Sequence, residues 1–392
     1  MGFLAASASI CYFHVEGSFN NQHDETEIQQ RLADEGFRSI EQSGEELSTG
    51  WVQLDDYENS DFHSQQVFQR DQHLCFTLRQ DRRRIPAALY KREITRLSKQ
   101  FLADKPNLKR VPNGEMEQIR DRARSLLMSR TLPSPSYYDV IWDTERQFIR
   151  LCSLSQKVID SFQGLFHQTF PGFRLQLLHP MARASQLLPA ALQEKLAEAN
   201  LAQTDSALEQ IEANRWLGSE FLQWLFFRTL NSDAHYAINC PGPFLENQPF
   251  TAYLDNRLIL VGGGQEGVQK IVVAGPQDHY TEVRAALQQG KQIEEATLHL
   301  ENDEDEWKLT LKGERFQFGS YRTPMIRPEA GPDDDLQAEA EAAFYTKLGA
   351  VEEGEQMFNS LLKKFMELRL GEDWKNEQKA MNDWVAGSLL MR

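Results

Sequence analysis

Residues 85–101 read IPAALYKREITRLSKQF, and residues 115–130 read EMEQIRDRARSLLMSR. Apolar side chains in the first stretch recur at spacings of 4, 3 and 4, at Tyr90, Ile94, Leu97 and Phe101. This period is typical of a helix with one buried stripe, and Pro86 suits its first turn. The face left to solvent carries four cations, Lys91, Arg92, Arg96 and Lys99.

The second stretch follows a turn-rich break, KPNLKRVPNG, at residues 105–114. Its periodicity predicts a helix from about Glu115 to Ser129. The inward side chains of this helix are Met116, Ile119, Ala123 and Leu126, and the outward cations are Arg120, Arg122 and Arg124. We therefore expect residues 85–130 to form a projecting basic helical hairpin, ended by Leu132 and the prolines that follow it.

Charge is distributed unevenly along the chain. Residues 79–130 contain 15 Lys and Arg against 6 Asp and Glu, a local net of +9, although the whole chain has a net charge of −16. The rest of the chain then has 27 basic and 52 acidic residues, a net of −25. Such a split indicates that one surface attracts a polyanion while the remainder repels it.

The basic segment predicts contact with a nucleic-acid backbone, because clustered cations gain free energy by releasing phosphate counterions. The candidate contacts are Arg82, Arg83, Arg84, Lys91, Arg92, Arg96, Lys99, Arg120, Arg122, Arg124 and Arg130. No helix-turn-helix, zinc-finger or basic-zipper pattern accompanies them, so we expect binding without sequence preference. The alternative is an ordinary solvated helix face, or a surface that docks an acidic protein partner.

Around this segment the patterns of strand and helix alternate, which predicts an α+β fold with mixed sheets and packed helices. Strands are expected at residues 3–15, 50–54, 67–78, 137–142, 148–153, 173–178, 250–254, 258–261, 268–273, 293–300 and 307–312. Helices are expected at 24–35, 157–166 and 279–289, throughout 181–230, and over the last sixty residues. The predicted parts are an α+β domain (1–180), a helical connecting region (181–237), a second sheet region (238–325) and a C-terminal helical region (326–392).

Several classes of protein are disfavoured by the composition. No apolar run approaches the roughly 18–20 residues of a membrane span, and the N-terminus has no basic region of a signal peptide, so we expect a cytoplasmic protein without membrane contact. Cys11, Cys75, Cys152 and Cys240 form no close pair, which disfavours a disulfide framework or a cysteine zinc site. We expect these four thiols to be buried.

Two weak motifs suggest chemistry. Gly262 to Gly267 match a dinucleotide-binding glycine pattern, but a strand rather than a helix is predicted to follow, so a hairpin turn is favoured. Glu306, Lys308 and the upstream Asp278 resemble the groups with which some nucleases hold a divalent metal. Carboxylate spacing alone is unspecific, so a metal-dependent nuclease is the alternative to a non-enzymatic protein without cofactor or metal.

The order of these features resembles the recombination-associated protein RdgC family over most of residues 1–370. The matching stretches are Gly50–Val52, Ile85–Pro86, Leu126–Leu127 with Arg130–Leu132, Ile141–Thr144, Ala274 with Gln277–Asp278, Gly290–Lys291 and the strand Ala296–Leu300. The chain departs from the family pattern in two places. Leu132 stands where better-known members have an aromatic residue, and Gly275–Pro276 replaces a basic pair.

The resemblance implies a homodimer closed into a ring whose basic hole can encircle duplex DNA. It implies binding to double- and single-stranded DNA without sequence preference, nucleoid association, and restraint of RecA-dependent homologous recombination. Arg130, Gln277 and Lys291 match family positions associated with the hole or its closure. An acidic exterior fits such a ring, since it discourages indiscriminate association with nucleic acid.

Overall fold

A computed structural model describes residues 2–17, 25–231, 234–264, 267–275, 280–303, 305–325 and 336–387. Eleven α-helices and thirteen β-strands lie in these ranges, so the predicted α+β class is confirmed. The strands are β1 (Ala8–Glu16), β2 (Leu47–Gln53), β3 (Gln69–Arg70), β4 (His73–Arg82), β5 (Ser134–Asp143), β6 (Phe148–Leu151), β7 (Arg174–Leu177), β8 (His235–Ala237), β9 (Pro249–Gly264), β10 (Gly267–Ala274), β11 (Gln292–Asn302), β12 (Asp305–Lys312) and β13 (Gln317–Arg322).

The helices alternate with these strands. They are α1 (Glu25–Asp34), α2 (Ala87–Asp104), α3 (Asn113–Met128), α4 (Gln156–Thr169), α5 (Pro180–Leu187), α6 (Ala190–Ala199), α7 (Ala207–Ala213), α8 (Arg215–Asn231), α9 (Thr281–Gln288), α10 (Leu336–Arg369) and α11 (Trp374–Val385). None of the helices in the described ranges has the length and apolar character that a membrane crossing requires.

The chain divides into two compact units that are each discontinuous in sequence. The larger unit comprises Met1–Glu16, Phe148–Val158 and Leu175–Arg392, and the smaller unit comprises Gly17–Gln147 and Ile159–Arg174. The residues predicted to bind a phosphate backbone lie mainly in the smaller unit.

In the smaller unit, strand β4 is central and pairs antiparallel with β2, β3 and β5. Aromatic side chains fill the space between this sheet and α4, where the ring of Trp51 lies 4.8 Å from Phe76 and Trp142 lies 5.2 Å from Phe166. Position 50 requires glycine for a steric reason, because a Cβ there would lie 2.4 Å from the Cα of Phe37. Large apolar side chains therefore fix both the sheet and its helix.

The helix pair α2–α3 is an insertion between two neighbouring strands. Strands β4 and β5 stay in register up to the pair Arg82 and Ser134, and residues 83–133 connect these two positions. The chain thus leaves the end of the sheet, forms both helices and returns beside its point of departure. This topology places the basic segment at one end of the β4–β5 ladder.

In the larger unit, a sheet has the strand order β10–β9–β11–β12–β13–β1–β6, with β7 beside β1 and β8 beside β9. Helices α8 and α10 meet in its core, where Phe221 lies 6.0 Å from Phe358 and 5.4 Å from Phe316. The predicted glycine-rich hairpin is confirmed, since Gly264 pairs with Gly267 between β9 and β10. All four cysteines are buried, as predicted.

Several predicted strand boundaries were wrong. The strand predicted at 67–78 is interrupted by a turn at Asp71, whose φ of 49° is left-handed, and β4 continues to Arg82. The strands predicted at 250–254 and 258–261 form one strand, β9, because β11 pairs with it throughout with local register shifts. Strand β13 was not predicted, and β1 begins at Ala8 rather than at residue 3.

Candidate nucleic-acid interface

Helices α2 and α3 pack on one another through a small apolar core of their own. Leu97, Ile119 and Ala123 are buried between them, and Tyr90, Ile94, Phe101 and Val111 pack against this cluster. The helices are antiparallel, because the Tyr90 hydroxyl donates to the carbonyl of Arg120 at 3.4 Å while Lys105 pairs with Glu115 near the connection. The predicted inward positions of α2 are thereby confirmed, as are Ile119 and Ala123 of α3, whereas Met116 and Leu126 are half-buried and lie outside this cluster.

The outer face of α2 carries the most continuous run of cations. Lys91, Arg92, Arg96 and Lys99 are all exposed, and with Ala88 and Thr95 they line an open depression of about 560 Å³. Successive residues of a helix turn by about 100° and rise about 1.5 Å, so the four cations share one side over about 12 Å. This arrangement presents positive charge along a line.

One acid is built into this face. Glu93 is only 8% exposed, and Arg96 binds its carboxylate with Nε 3.0 Å from Oε2 and Nη2 2.6 Å from Oε1. These hydrogen bonds hold the pKa of the Glu93 carboxyl below its usual value, and Arg130 and Arg92 act in the same direction through their charge. The sequence alone had not indicated that Glu93 takes part.

The cations of α3 do not share one face. Arg120 and Arg124 are one turn apart on one flank, whereas Arg122 lies on the opposite flank by helical geometry. The guanidinium of Arg124 is bound to Glu46, with Nε 3.1 Å from Oε1. Only Arg120 and Arg122 are therefore exposed cations of α3 without an ion pair among the described residues.

The three consecutive arginines at the end of β4 have different environments. Arg82 and Arg84 are exposed, but Arg83 is 4% exposed. Its guanidinium donates to four backbone carbonyls, those of Ser43, Ile40, Glu41 and Met128. Arg83 is thus engaged in the fold and does not face solvent.

A second buried arginine also belongs to the smaller unit's interior rather than to its surface. Arg79 is 6% exposed and bonds Asp81 and Glu58, with its Nε 2.9 Å from Asp81 Oδ1. The local charge of residues 79–130 therefore overstates what reaches solvent. Within residues 79–130, the exposed cations that form no ion pair with any described residue are Arg82, Arg84, Lys91, Arg92, Lys99, Lys109, Arg110, Arg120, Arg122 and Arg130.

Residues 9–215 match a family model described as "Putative exonuclease, RdgC". This span covers more than half of the chain. The chain belongs to the RdgC family. Membership supports a DNA-binding role associated with recombination, which agrees with the cation-rich face of α2. No curated protein matches the chain.

Of the positions associated with the RdgC family, Gln277 and Lys291 lie apart from the helix pair in sequence, whereas Arg130 directly follows it. Lys291 is 8% exposed, and its Nζ donates to Gln289 Oε1 at 2.9 Å, so it is a buried residue of the larger unit. Gln277 lies outside the described residues. Arg130 is exposed just beyond α3, and Leu132 is 75% exposed.

Two of the residues predicted for the alternative function, a metal-dependent nuclease, lie on β12 of the larger unit. Glu306 and Lys308 are two positions apart and therefore share a face of the strand, where Glu306 Oε1 lies 2.7 Å from His299 Nδ1. Asp278 lies outside the described residues. Among the residues that are described, Glu306 belongs to no group of three His, Cys, Asp or Glu side chains with ligand atoms within 4.8 Å of one another.

Proposed function

We propose that this protein binds DNA through its phosphate backbone, without sequence preference, using the helix pair α2–α3. The observation that carries the proposal is the outer face of α2, where Lys91, Arg92 and Lys99 are exposed on one side of a helix. These three cations form no ion pair within the described ranges, so their charge is available to a ligand. Membership of the RdgC family supports the same role.

The physical basis is counterion release. Each phosphate that a cation neutralises frees part of the counterion atmosphere, so log K falls with log salt by about 0.9 for each contact on duplex DNA. A helix face that bears cations but no aromatic platform suits contact with the backbone rather than with bases. Single strands carry the same phosphates, and we include them as ligands.

A triple variant, Lys91→Gln, Arg92→Gln and Lys99→Gln, tests the proposal. We expect it to weaken binding to unrelated duplexes by a similar factor, about tenfold or more, and to reduce the salt slope by about 2–3. Fluorescence anisotropy with labelled duplexes of two different sequences, over a series of salt concentrations, measures both quantities.

A matched control removes the same charge elsewhere. Lys157, Lys375 and Lys379 are exposed in the larger unit, and changing all three to Gln also lowers the net charge by three. If binding depended only on net charge, both triple variants would lose affinity equally. That result, or binding that does not respond to salt, would contradict the proposal.

We further propose that the protein acts as a homodimer that encircles or coats DNA in the nucleoid and restrains RecA-dependent recombination. The support for this is the resemblance of its motifs to RdgC family members together with the local surplus of positive charge on an acidic chain. An acidic exterior would repel DNA everywhere except at the cation-rich face.

We propose that this binding is not enzymatic, and the competing function is a metal-dependent nuclease. The family description names an exonuclease, and Glu306 is the carboxylate that a metal would use on β12. Incubation of linear DNA with the protein and Mg²⁺ or Mn²⁺ separates the two functions. Degradation that is lost in Glu306→Ala would establish the nuclease, and intact DNA in the presence of either metal supports binding alone.

A further inference from the structure

Three arginines, two on α2 and one just beyond α3, act on the carboxylate of Glu93. Arg92 and Arg96 lie on α2, whereas Arg130 follows the end of α3. Arg96 makes a two-nitrogen contact with Glu93, and Arg92 lines the same open depression as Arg96. The charges of Arg130 and Arg92 also lower the pKa of the Glu93 carboxyl. The group as a whole has one negative and three positive charges.

The contact with Glu93 leaves hydrogen-bond donors unused. Arg96 engages the acid through Nε and Nη2, and its Nη1 forms no hydrogen bond among the described residues. Arg92 and Arg130 are exposed and form no ion pair there. Guanidinium groups repel one another when they converge, so a carboxylate between them allows their planar forks to stay together.

We infer that Glu93 is a positioning residue, whose carboxylate assembles Arg92, Arg96 and Arg130 into a clamp for one phosphodiester group of a nucleic-acid strand. The inference rests on the proposed DNA binding and assigns a point of contact within it. Bidentate arginine contacts to phosphate are stronger than single ones and depend on orientation. An acid in a cation-rich face therefore increases affinity by fixing the geometry of its neighbours.

Removing Glu93 has two effects of opposite sign. Loss of a negative charge favours binding of a polyanion, whereas loss of orientation disfavours it. An acid elsewhere on the helix pair isolates the first effect, and Asp121 on α3 is suitable because it is exposed and forms no ion pair in the described part of the chain. Glu93→Gln and Asp121→Asn change the net charge equally and keep the shape of each side chain.

Anisotropy titrations of the full chain with a short labelled duplex compare the two variants over a salt series. For Glu93→Gln we expect affinity to fall by about 3- to 10-fold and the salt slope to fall by about 1, the value of one phosphate contact. For Asp121→Asn we expect unchanged affinity or a gain of up to about twofold, as is usual for an exposed charge. Only a positioning role predicts that Glu93→Gln weakens binding while Asp121→Asn does not.

A double-mutant cycle with Arg96→Ala tests whether Glu93 acts through Arg96. In that background Glu93→Gln should no longer weaken binding. Arg96→Lys keeps the positive charge but loses the planar guanidinium, so it should weaken binding about as much as Glu93→Gln does. If Glu93→Gln lowers the melting temperature, Arg96→Lys is the variant that tests the inference.

If Glu93→Gln, like Asp121→Asn, binds duplex at least as tightly as the wild type, this inference is overturned and the proposed function is left intact. Wild-type protein that does not bind duplex at low salt would overturn both. Wild-type affinity in Arg96→Lys would likewise exclude a role for the arginine fork.

Discussion

Adjacent arginines at the end of β4 show how one residue type serves two purposes. Arg83 faces inward and bonds four carbonyls, while Arg82 and Arg84 face solvent. Side chains of a strand point alternately to opposite sides, and the alternation of buried Asp81 and exposed Arg82 at the end of β4 continues through the two residues that follow the strand. Had β4 been predicted to extend to Arg82, the same alternation would have indicated that Arg83 is buried.

Arg83→Met should destabilise the protein because four backbone carbonyls, two of them in buried hydrogen bonds, would lose their donor. We expect the free energy of unfolding to fall by about 2–4 kcal/mol, in the range of a disrupted buried hydrogen-bond network. Urea unfolding followed by circular dichroism measures this change. Arg84→Met is the matched control, and equal stability of the two variants would show that the carbonyl contacts of Arg83 contribute little.

His179 gives the larger unit a dependence on pH. Burial lowers the pKa of its imidazole from 6.5 to about 4, and its Nδ1 has no hydrogen-bond partner among the described residues. The folded state therefore keeps His179 neutral, while the unfolded chain takes up a proton below pH 6.5. The contribution of His179 to stability is complete above pH 6.5 and is lost as the pH falls from 6.5 towards 4.

In His179→Asn this contribution should disappear, and asparagine also suits the position before helix α5. When the pH is lowered from 7 to 5, the free energy of unfolding should fall in both proteins. We expect the fall to be smaller in the variant than in the wild type, by up to about 2 kcal/mol. Urea unfolding at both pH values measures the difference. Parallel losses in the two proteins would mean that His179 does not titrate differently in the folded state.

At the scale of elements, the helices were predicted more accurately than the strands. The apolar period of α2 and the turn before α3 are local properties. Helix α3 begins and ends within two residues of the expected positions, and α2 begins directly after Pro86 and ends just before the predicted break at residue 105. Strand limits depend on the partner strand, which is distant in sequence. The union of two predicted strands in β9 and the omission of β13 both follow from this dependence.

The candidate interface could be predicted only in part for a similar reason. Periodicity placed Lys91, Arg92, Arg96 and Lys99 outward, and all four are exposed. The ion pair of Arg124 joins residues 78 positions apart, and no local pattern indicates such a contact. Sequence therefore identified the cations but not the acids that engage some of them.

The insertion of the helix pair between β4 and β5 predicts that it can be removed. Because Arg82 pairs with Ser134, a tight turn such as Asn-Gly can replace residues 84–133 and join the two strands. We expect the shortened protein to retain its cooperative unfolding and to lose measurable duplex binding. Undiminished binding would place the interface outside the helix pair, and loss of cooperative unfolding would show that the sheet requires it.

For the whole molecule, the interleaving of two units was not evident from the order of elements. Strands β1 and β6 pair with each other in the larger unit although the chain between them forms most of the smaller one. Domain boundaries inferred from composition divide the chain into consecutive segments, so they cannot describe units that are each built from separate segments. The predicted boundaries at residues 180, 237 and 325 stay predictions.

The proposed dimer makes a prediction at this scale. Light scattering of the free protein should give a mass of about twice the 45.2 kDa of one chain, and addition of a short duplex should increase it by the mass of one DNA for each dimer. A closed ring on long circular DNA should also resist release by salt more than it does on short linear DNA. A monomer under both conditions would exclude the ring.

The place of the helix pair between adjacent strands also has a consequence for the order of folding. Contacts within α2 and α3 are local in sequence, whereas β4 and β5 meet only when the intervening chain has returned on itself. Closing a long flexible loop is entropically costly. Helices that form early reduce the length of flexible chain between β4 and β5, so the two strands can meet at a lower cost. Substitutions such as Leu97→Ala should therefore slow refolding of the smaller unit, and Val140→Ala in β5 should mainly accelerate its unfolding.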